Sequence, residues 1–247
     1  MLKNKKLLII IKNHDKRYSN YHNEVYEKIE QINRNYLSQK KEIDFVYVKA
    51  NPNMEINHYL DEKNNNFWIK AYENNWECLK IKILESIKYF IYMSDIKYDY
   101  VFITNLSTFI NVDKLLSECN SLDNNLCASV IGNYSFNGLS YLFPSGAGAL
   151  YSSELLKTIF DYQYTVNHVL YPNTDDIFFG KLLHELNISI KPINRLNITS
   201  NNDYEIIVND IQQIKNSSHI RIKIDNNRDM EPKYHELLAD LIYGINK

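Results

Sequence analysis

The sequence predicts an α/β domain with a mixed, mostly parallel central sheet flanked by helices. Through the first half, short apolar runs alternate with longer helical patterns, the signature of βαβ units. The longer patterns carry apolar residues at three-and-four spacing, as amphipathic helices do. The length, 247 residues, suits one such domain, and no low-complexity linker divides it.

The apolar run at residues 7–11 is the first strand; although lysines precede it, it is too short for a signal peptide or a membrane span. Residues 18–37 place Tyr21, Val25, Ile29, Ile32 and Tyr36 on one helical face, and 43–48 read as the second strand. A polar loop is expected around 51–66. A long crossover helix is expected over 68–93, with Leu79, Ile83, Ile87 and Phe90 along its stripe. The strand 98–104 runs into the polar turn Asn105-Leu106-Ser107, and ligands of open α/β sheets collect beyond the carboxyl ends of such strands. In the second half, strands are expected at 127–131, 148–151, 188–191, 195–198 and 218–224. Ser152, Ser153 and Glu154 cap a short helix ending near Asp161. Residues 174–186 form a helix opening on two aspartates, and 232–243 form a closing helix with Pro near its start.

Composition narrows the function. Hydrophobic residues at 45% and charged residues at 23% are ordinary for a soluble globular chain rather than a disordered one. A net charge of −2 gives no general attraction to nucleic acid or anionic membrane, so an anion site must be local, and a small anionic ligand fits better than a polymer. Cys78, Cys119 and Cys127 are odd in number and lack metal spacing, which favours reduced thiols and a cytoplasmic location. The heavy use of Asn, Ile, Lys and Tyr looks like the coding bias of an AT-rich genome, as in some bacteria and large DNA viruses; for a virus the compartment is the host cytoplasm. Asn-X-Ser/Thr triplets arise by chance in so Asn-rich a chain. There is no P-loop, nucleophile elbow or dinucleotide glycine fingerprint.

Three segments in order carry a resemblance: YDYVFITNLSTFINVDKLL, FPSGAGALYSSELL and PNTDDIFFGKLLHELNI. Phe109, Asn111 and Leu115 in the first, Pro144, Ser145, Gly146 and Gly148 in the second, and Asp175, Asp176 and Gly180 in the third match the pattern of the fringe-like and β-1,3-galactosyltransferase-like glycosyltransferases. Upstream, Trp76, Leu79 and Lys82 resemble that family's Tyr/Asn-Leu/Lys helix. The resemblance spans roughly residues 68–190 and implies one GT-A (Rossmann-like) domain over 1–247, with a nucleotide-binding half at 1–110 and an acceptor and catalytic half at 111–247. It implies an inverting transferase that takes a sugar from a nucleotide diphosphate sugar, by resemblance a UDP-sugar, to a glycan hydroxyl. Asp175 is then the general base and Asp176 its helper. Ser145, Gly146 and Gly148 approach the sugar, and Asn13, with its neighbours His14 and Asp15, approaches the nucleotide base. On residue type alone, the aspartate pair also reads as an ordinary helix start and the glycines as a tight turn into a strand.

The departure falls on the acidic DxD triplet, whose place is taken by Asn105, Leu106 and Ser107. The family uses its last aspartate to hold a divalent ion, Mn2+ or Mg2+, against the donor phosphates. Neutral oxygens are poor ligands for hard cations, which weakens that implication. Asn105 and Ser107 retain hydrogen-bonding capacity toward ribose or phosphate, or simply close a strand. Compensation is available in SSHIRIKIDNNR: on a strand, His219, Arg221 and Lys223 share one face, a cationic stripe for phosphate or a solvated basic face. By chain position, His219 also resembles the family's C-terminal metal-completing histidine. The alternatives are a non-catalytic GT-A-like nucleotide- or glycan-binding domain and a nucleotidyltransferase, whose chemistry ordinarily needs carboxylate-bound metal.

Overall fold

The computed structural model describes residues 6–15, 17, 23–73, 76–121, 126–136, 138–167, 174–224 and 228–244. Strand β1 (Leu7–Lys12) is buried along its whole length, as a central parallel strand covered on both faces must be. Helix α1 (Asn23–Leu37) leads back to β2 (Ile43–Ala50), which pairs in parallel with β1. The start of the helix expected from residue 18 lies outside the described residues.

The expected loop at 51–66 and helix start at 68 are both corrected. β3 (His58–Asp61) and β4 (Asn66–Ile69) pair antiparallel, and β4 adds in parallel to β2. Phe67 and Ile69 point inward between less buried neighbours. A period-two pattern only four residues long is indistinguishable from a helix start on periodicity alone. Helix α2 (Trp76–Ile87) continues as a wider π turn over Lys88–Met93, and Ile83, Ile87 and Phe90 of the anticipated stripe are buried.

β5 (Tyr100–Asn105) pairs with β1 on the side opposite β2. The chain continues through β6 (Thr108–Ile110), α3 (Val112–Ser121), β7 (Cys127–Phe136) and β8 (Leu139–Ser152). Helices α4 (Ser153–Tyr162) and α5 (Asp175–Glu185) follow, then β9 (Ile190–Pro192), β10 (Arg195–Ile198), α6 (Asn201–Asn209), α7 (Ile211–Lys215), β11 (His219–Ile222) and α8 (Glu231–Tyr243). Ser152 caps α4 through its hydroxyl, which accepts from the Leu155 amide, as its sequence position indicates. Helices α3, α6 and α7 were not anticipated. In α3 the apolar stripe is short, with Val112, Leu115 and Cys119 buried and Leu116 partly so.

The strand order of the main sheet is β3-β4-β2-β1-β5-β8-β7-β9, and β10-β11-β6 form a second, smaller sheet. Pairs β4–β2, β2–β1, β1–β5 and β7–β9 are parallel and the other three antiparallel, so the fold is the mixed, mostly parallel α/β class expected. The main sheet crosses the expected halves, because β5 pairs with β8. Residues 144–148 are also corrected: they are no tight turn but part of a strand of 14 residues, with a register shift opposite Ser129 and Ile131. Along β1, Leu7, Ile9 and Ile11 enter one core with α1, α8 and the small sheet, while Leu8 and Ile10 enter another with α2, α4 and α5. The three cysteines are free and buried, and no helix among the described residues is long and apolar enough to cross a membrane.

Candidate active site

The chain leaves β1 toward β2 on one side and returns to β5 on the other, so the β1/β5 boundary is the sheet's topological switch point, where ligands of open α/β sheets bind. Lys12 and Asn105 are register partners there, and the Leu106 amide donates to the Lys12 carbonyl at 3.2 Å. Leu106 is buried in the core, whereas Asn105 and Ser107 are half-buried with no hydrogen bond from their side chains among the described residues. The hydroxyls of Thr104 and Thr108 both donate to the Ala147 carbonyl, at 2.8 and 2.9 Å, and fasten β8 beside this turn.

Helix α5 delivers the aspartates to the same place. Asp175 is buried and ion-paired with the buried Lys12 Nζ. Asp176 is half-buried; its Oδ1 accepts from the Ile177 amide at 2.9 Å and its Oδ2 from the Gly146 amide at 3.4 Å. Burial and then the Asp175 charge raise the Asp176 carboxyl above its ordinary range, against the opposing pull of Lys12 and the two amides. A β-carbon at Gly146 would sit 3.3 Å from Asp176 Oδ2 and 3.5 Å from Lys12 Nζ, so glycine lets the β8 backbone lie against the charged cluster. Ile103, Pro144, Tyr151 and Phe179 complete the surround. Sequence reasoning missed Lys12; its place at the end of a wholly apolar strand was the available signal.

A buried network braces the β1 end. Lys82 on α2 pairs with Glu73 and donates to the Asn13 carbonyl at 2.5 Å. Glu73 also accepts from the Ala50 amide at 3.0 Å and lies 2.8 Å from His14 Nδ1. Burial alone would raise the Glu73 carboxyl; the hydrogen bond from His14 and the Lys82 charge overcome it and hold the carboxyl below its usual range. The side chain of Asn13, expected to meet the nucleotide base, bonds within the protein: its Nδ2 donates to Glu30 at 2.5 Å and its Oδ1 accepts from the His14 amide at 2.7 Å. Its side chain orders the loop after β1.

The expected cationic stripe is split. Ile220, Ile222 and Ile224 do face the core, and Arg221 and Lys223 are half-buried on the other side. His219, however, is fully buried, with its ring 5.4 Å from that of Phe102 and Ser218 Oγ 2.8 Å from its Nδ1. A β-carbon at Gly148, expected to approach the sugar, would lie 2.5 Å from His219 Nε2, so the glycine makes room for this histidine. The donor set at the β5 end is therefore the neutral Asn105 and Ser107, with His219 sealed behind β8. Among the described residues no group of three His, Cys, Asp or Glu is arranged to hold a metal ion. These residues do not fit a divalent cation. Arg195, which the sequence reading passed over, lies on β10 beside β11 and donates from NH1 to Ser145 Oγ at 2.6 Å.

Burial pushes His219 and the core His235 down to about 3. Their folded-state pKa values lie below the unfolded value of about 6.5, so the unfolded chain takes up protons first as pH falls. Each neutral imidazole is expected to contribute stability that is complete above about pH 6.5 and is lost from there toward pH 3, at up to ~1.4 kcal/mol per pH unit each. Urea denaturation at pH 7, 6 and 5 measures this, and His219→Gln removes its share of the slope.

No protein-family model matches the chain, and no curated protein matches it. Several solved structures are similar in architecture. The galactosyltransferase LgtC, solved in complex with donor and acceptor sugar analogs, is 12% identical, with 97% of this chain and 96% of that chain covered at a TM-score of 0.48. The glycosyltransferase GlyE of Streptococcus pneumoniae TIGR4 is 9% identical, with 98% and 63% covered at 0.45. The 4-diphosphocytidyl-2C-methyl-D-erythritol synthase of Anaerococcus prevotii DSM 20548 is 11% identical, with 77% and 87% covered at 0.46. At this level the likeness carries no argument about activity, which rests on the residues themselves.

Proposed function

We propose that this protein is an inverting glycosyltransferase that moves a sugar from a nucleotide diphosphate sugar, a UDP-sugar by resemblance, to a hydroxyl of a glycan. The observation that carries the reading is the carboxylate pair Asp175–Asp176, presented at the β1/β5 switch point against the glycine-lined backbone of β8. The base assignment moves from Asp175 to Asp176. Asp175 is committed to Lys12, whereas Asp176 is less buried and has its carboxyl raised toward the pH at which a base works best.

In the reaction, Asp176 accepts the proton of the acceptor hydroxyl as that oxygen bonds to the anomeric carbon. The bond from that carbon to the donor's phosphate oxygen breaks, and the nucleoside diphosphate leaves with its electron pair. One base suffices for inversion. Lys12 and Asp175 hold the α5 terminus against β1, and Asn105 and Ser107 hydrogen-bond ribose or phosphate from the β5 turn. The binding half of this reading is tested by thermal denaturation with UDP, GDP and CDP. At ~100-fold excess over Kd the matching nucleotide is expected to raise Tm by roughly 5–10 °C. No shift with any of the three would remove the nucleotide-sugar reading.

A further inference from the structure

We infer that Arg195 and Arg221 form a clamp that binds a diphosphate beside the Asn105–Ser107 turn without a divalent ion. That the diphosphate belongs to a nucleotide sugar rests on the function proposed above; the clamp itself does not.

Parallel pairing of β10 with β11 sets Arg195 opposite His219 and Asn197 opposite Arg221, so both arginines occupy one face of the small sheet. The alternating residues, Leu196, Ile198, Ile220 and Ile222, pack into the core on the other. Arg221 is the register partner of Thr108 in β6, and the next amide, Ile222, donates to the Ser107 carbonyl at 2.8 Å, which places Arg221 at the turn. Thr108 in turn bonds Ala147, and Arg195 bonds Ser145, so both cations lie along the same stretch of β8.

No described carboxylate neutralises their charges. Among the described residues no carboxylate lies within ion-pair distance of either guanidinium, whereas Lys12 and Lys82 nearby each have one. Arg195 Nε is buried without a partner. Burial and then the Arg221 charge press the Arg195 guanidinium below its usual range, so the two cations repel each other as they stand. A half-buried pair of like charges is relieved by an anion, and two planar forks, each able to bond two oxygens, match an anion with two phosphoryl groups.

The turn is complementary to this. Asn105 and Ser107 bring no carboxylate to the turn that would compete with an anion for the arginines. The lost acidic triplet and the unpaired arginines are thus two sides of one arrangement, in which fixed cations take the place of a bound ion.

Titration calorimetry of inorganic pyrophosphate and of UDP, both in EDTA, tests the clamp. Both ligands are expected to bind, pyrophosphate at least tenfold more tightly than orthophosphate. R221Q and R195Q are each expected to weaken pyrophosphate at least tenfold, with R195K intermediate. Binding that appears only on adding Mn2+ or Mg2+, an absence of pyrophosphate binding, or undiminished affinity in R221Q would overturn the proposal. Should R195Q fail to fold, R221Q decides alone, since its half-buried side chain makes no ion pair among the described residues. Pyrophosphate binding that depends on the arginines, without UDP binding, would uphold the clamp and defeat the donor reading instead.

Discussion

Asp176→Asn is expected to lower sugar transfer by roughly 10²–10⁴-fold, the range for loss of a positioned general base, while nucleotide affinity is retained. The substitution keeps the shape and one accepting oxygen, which can hold the 2.9 Å bond from the Ile177 amide; it gives up the longer one from Gly146 at 3.4 Å and removes the capacity to take a proton. Steady-state rates and nucleotide titration on the same preparation separate the two effects. Asp175→Asn is a different experiment. It leaves the Lys12 ammonium buried beside a neutral amide, so a fall in rate there accompanies a fall in stability. Full activity in Asp176→Asn would return the base role to Asp175 or deny it to the pair.

Lys12→Met is expected to destabilise the protein by about 3–5 kcal/mol, the cost of leaving one member of a buried ion pair without its partner. For a chain of this size that corresponds to a fall in Tm of roughly 6–20 °C. The remaining Asp175 is almost wholly enclosed, so its charge would be left with little access to solvent. The double variant Lys12→Met/Asp175→Leu removes both charges and is expected to recover most of the lost stability, because an apolar pair of similar volume incurs no desolvation penalty. Equal destabilisation in the single and double variants would show that the Lys12 stem, rather than its charge, matters.

These two residues also mark how far the sequence could be read. The parallel core was legible because β1 and β5 are continuous apolar runs with turns at their carboxyl ends; Asp175-Asp176 was singled out only by its resemblance to a family pattern, since aspartates at a helix start are ordinary. β3 and β4 were missed because a four-residue alternation cannot be told from one helical turn. Lys12 gave only one signal, its place at the end of an apolar strand; its role was hidden because its partner lies far along the chain and only the fold joins them. His219 was misread for the complementary reason. Period two places it correctly on the face of Arg221, but whether a face meets solvent or the underside of β8 is decided by packing between sheets. Arg195 escaped notice because a single arginine in a short strand carries no pattern; its meaning comes from the register that sets β10 beside β11.

The central claim is tested most directly by incubating the protein with UDP-, GDP- and CDP-sugars and identifying the products. The account predicts release of a free nucleoside diphosphate together with transferred or hydrolysed sugar, strongly reduced in Asp176→Asn. Release of pyrophosphate from a nucleoside triphosphate and a sugar phosphate, with no cleavage of any nucleotide sugar, would contradict it and assign nucleotidyl transfer to this site.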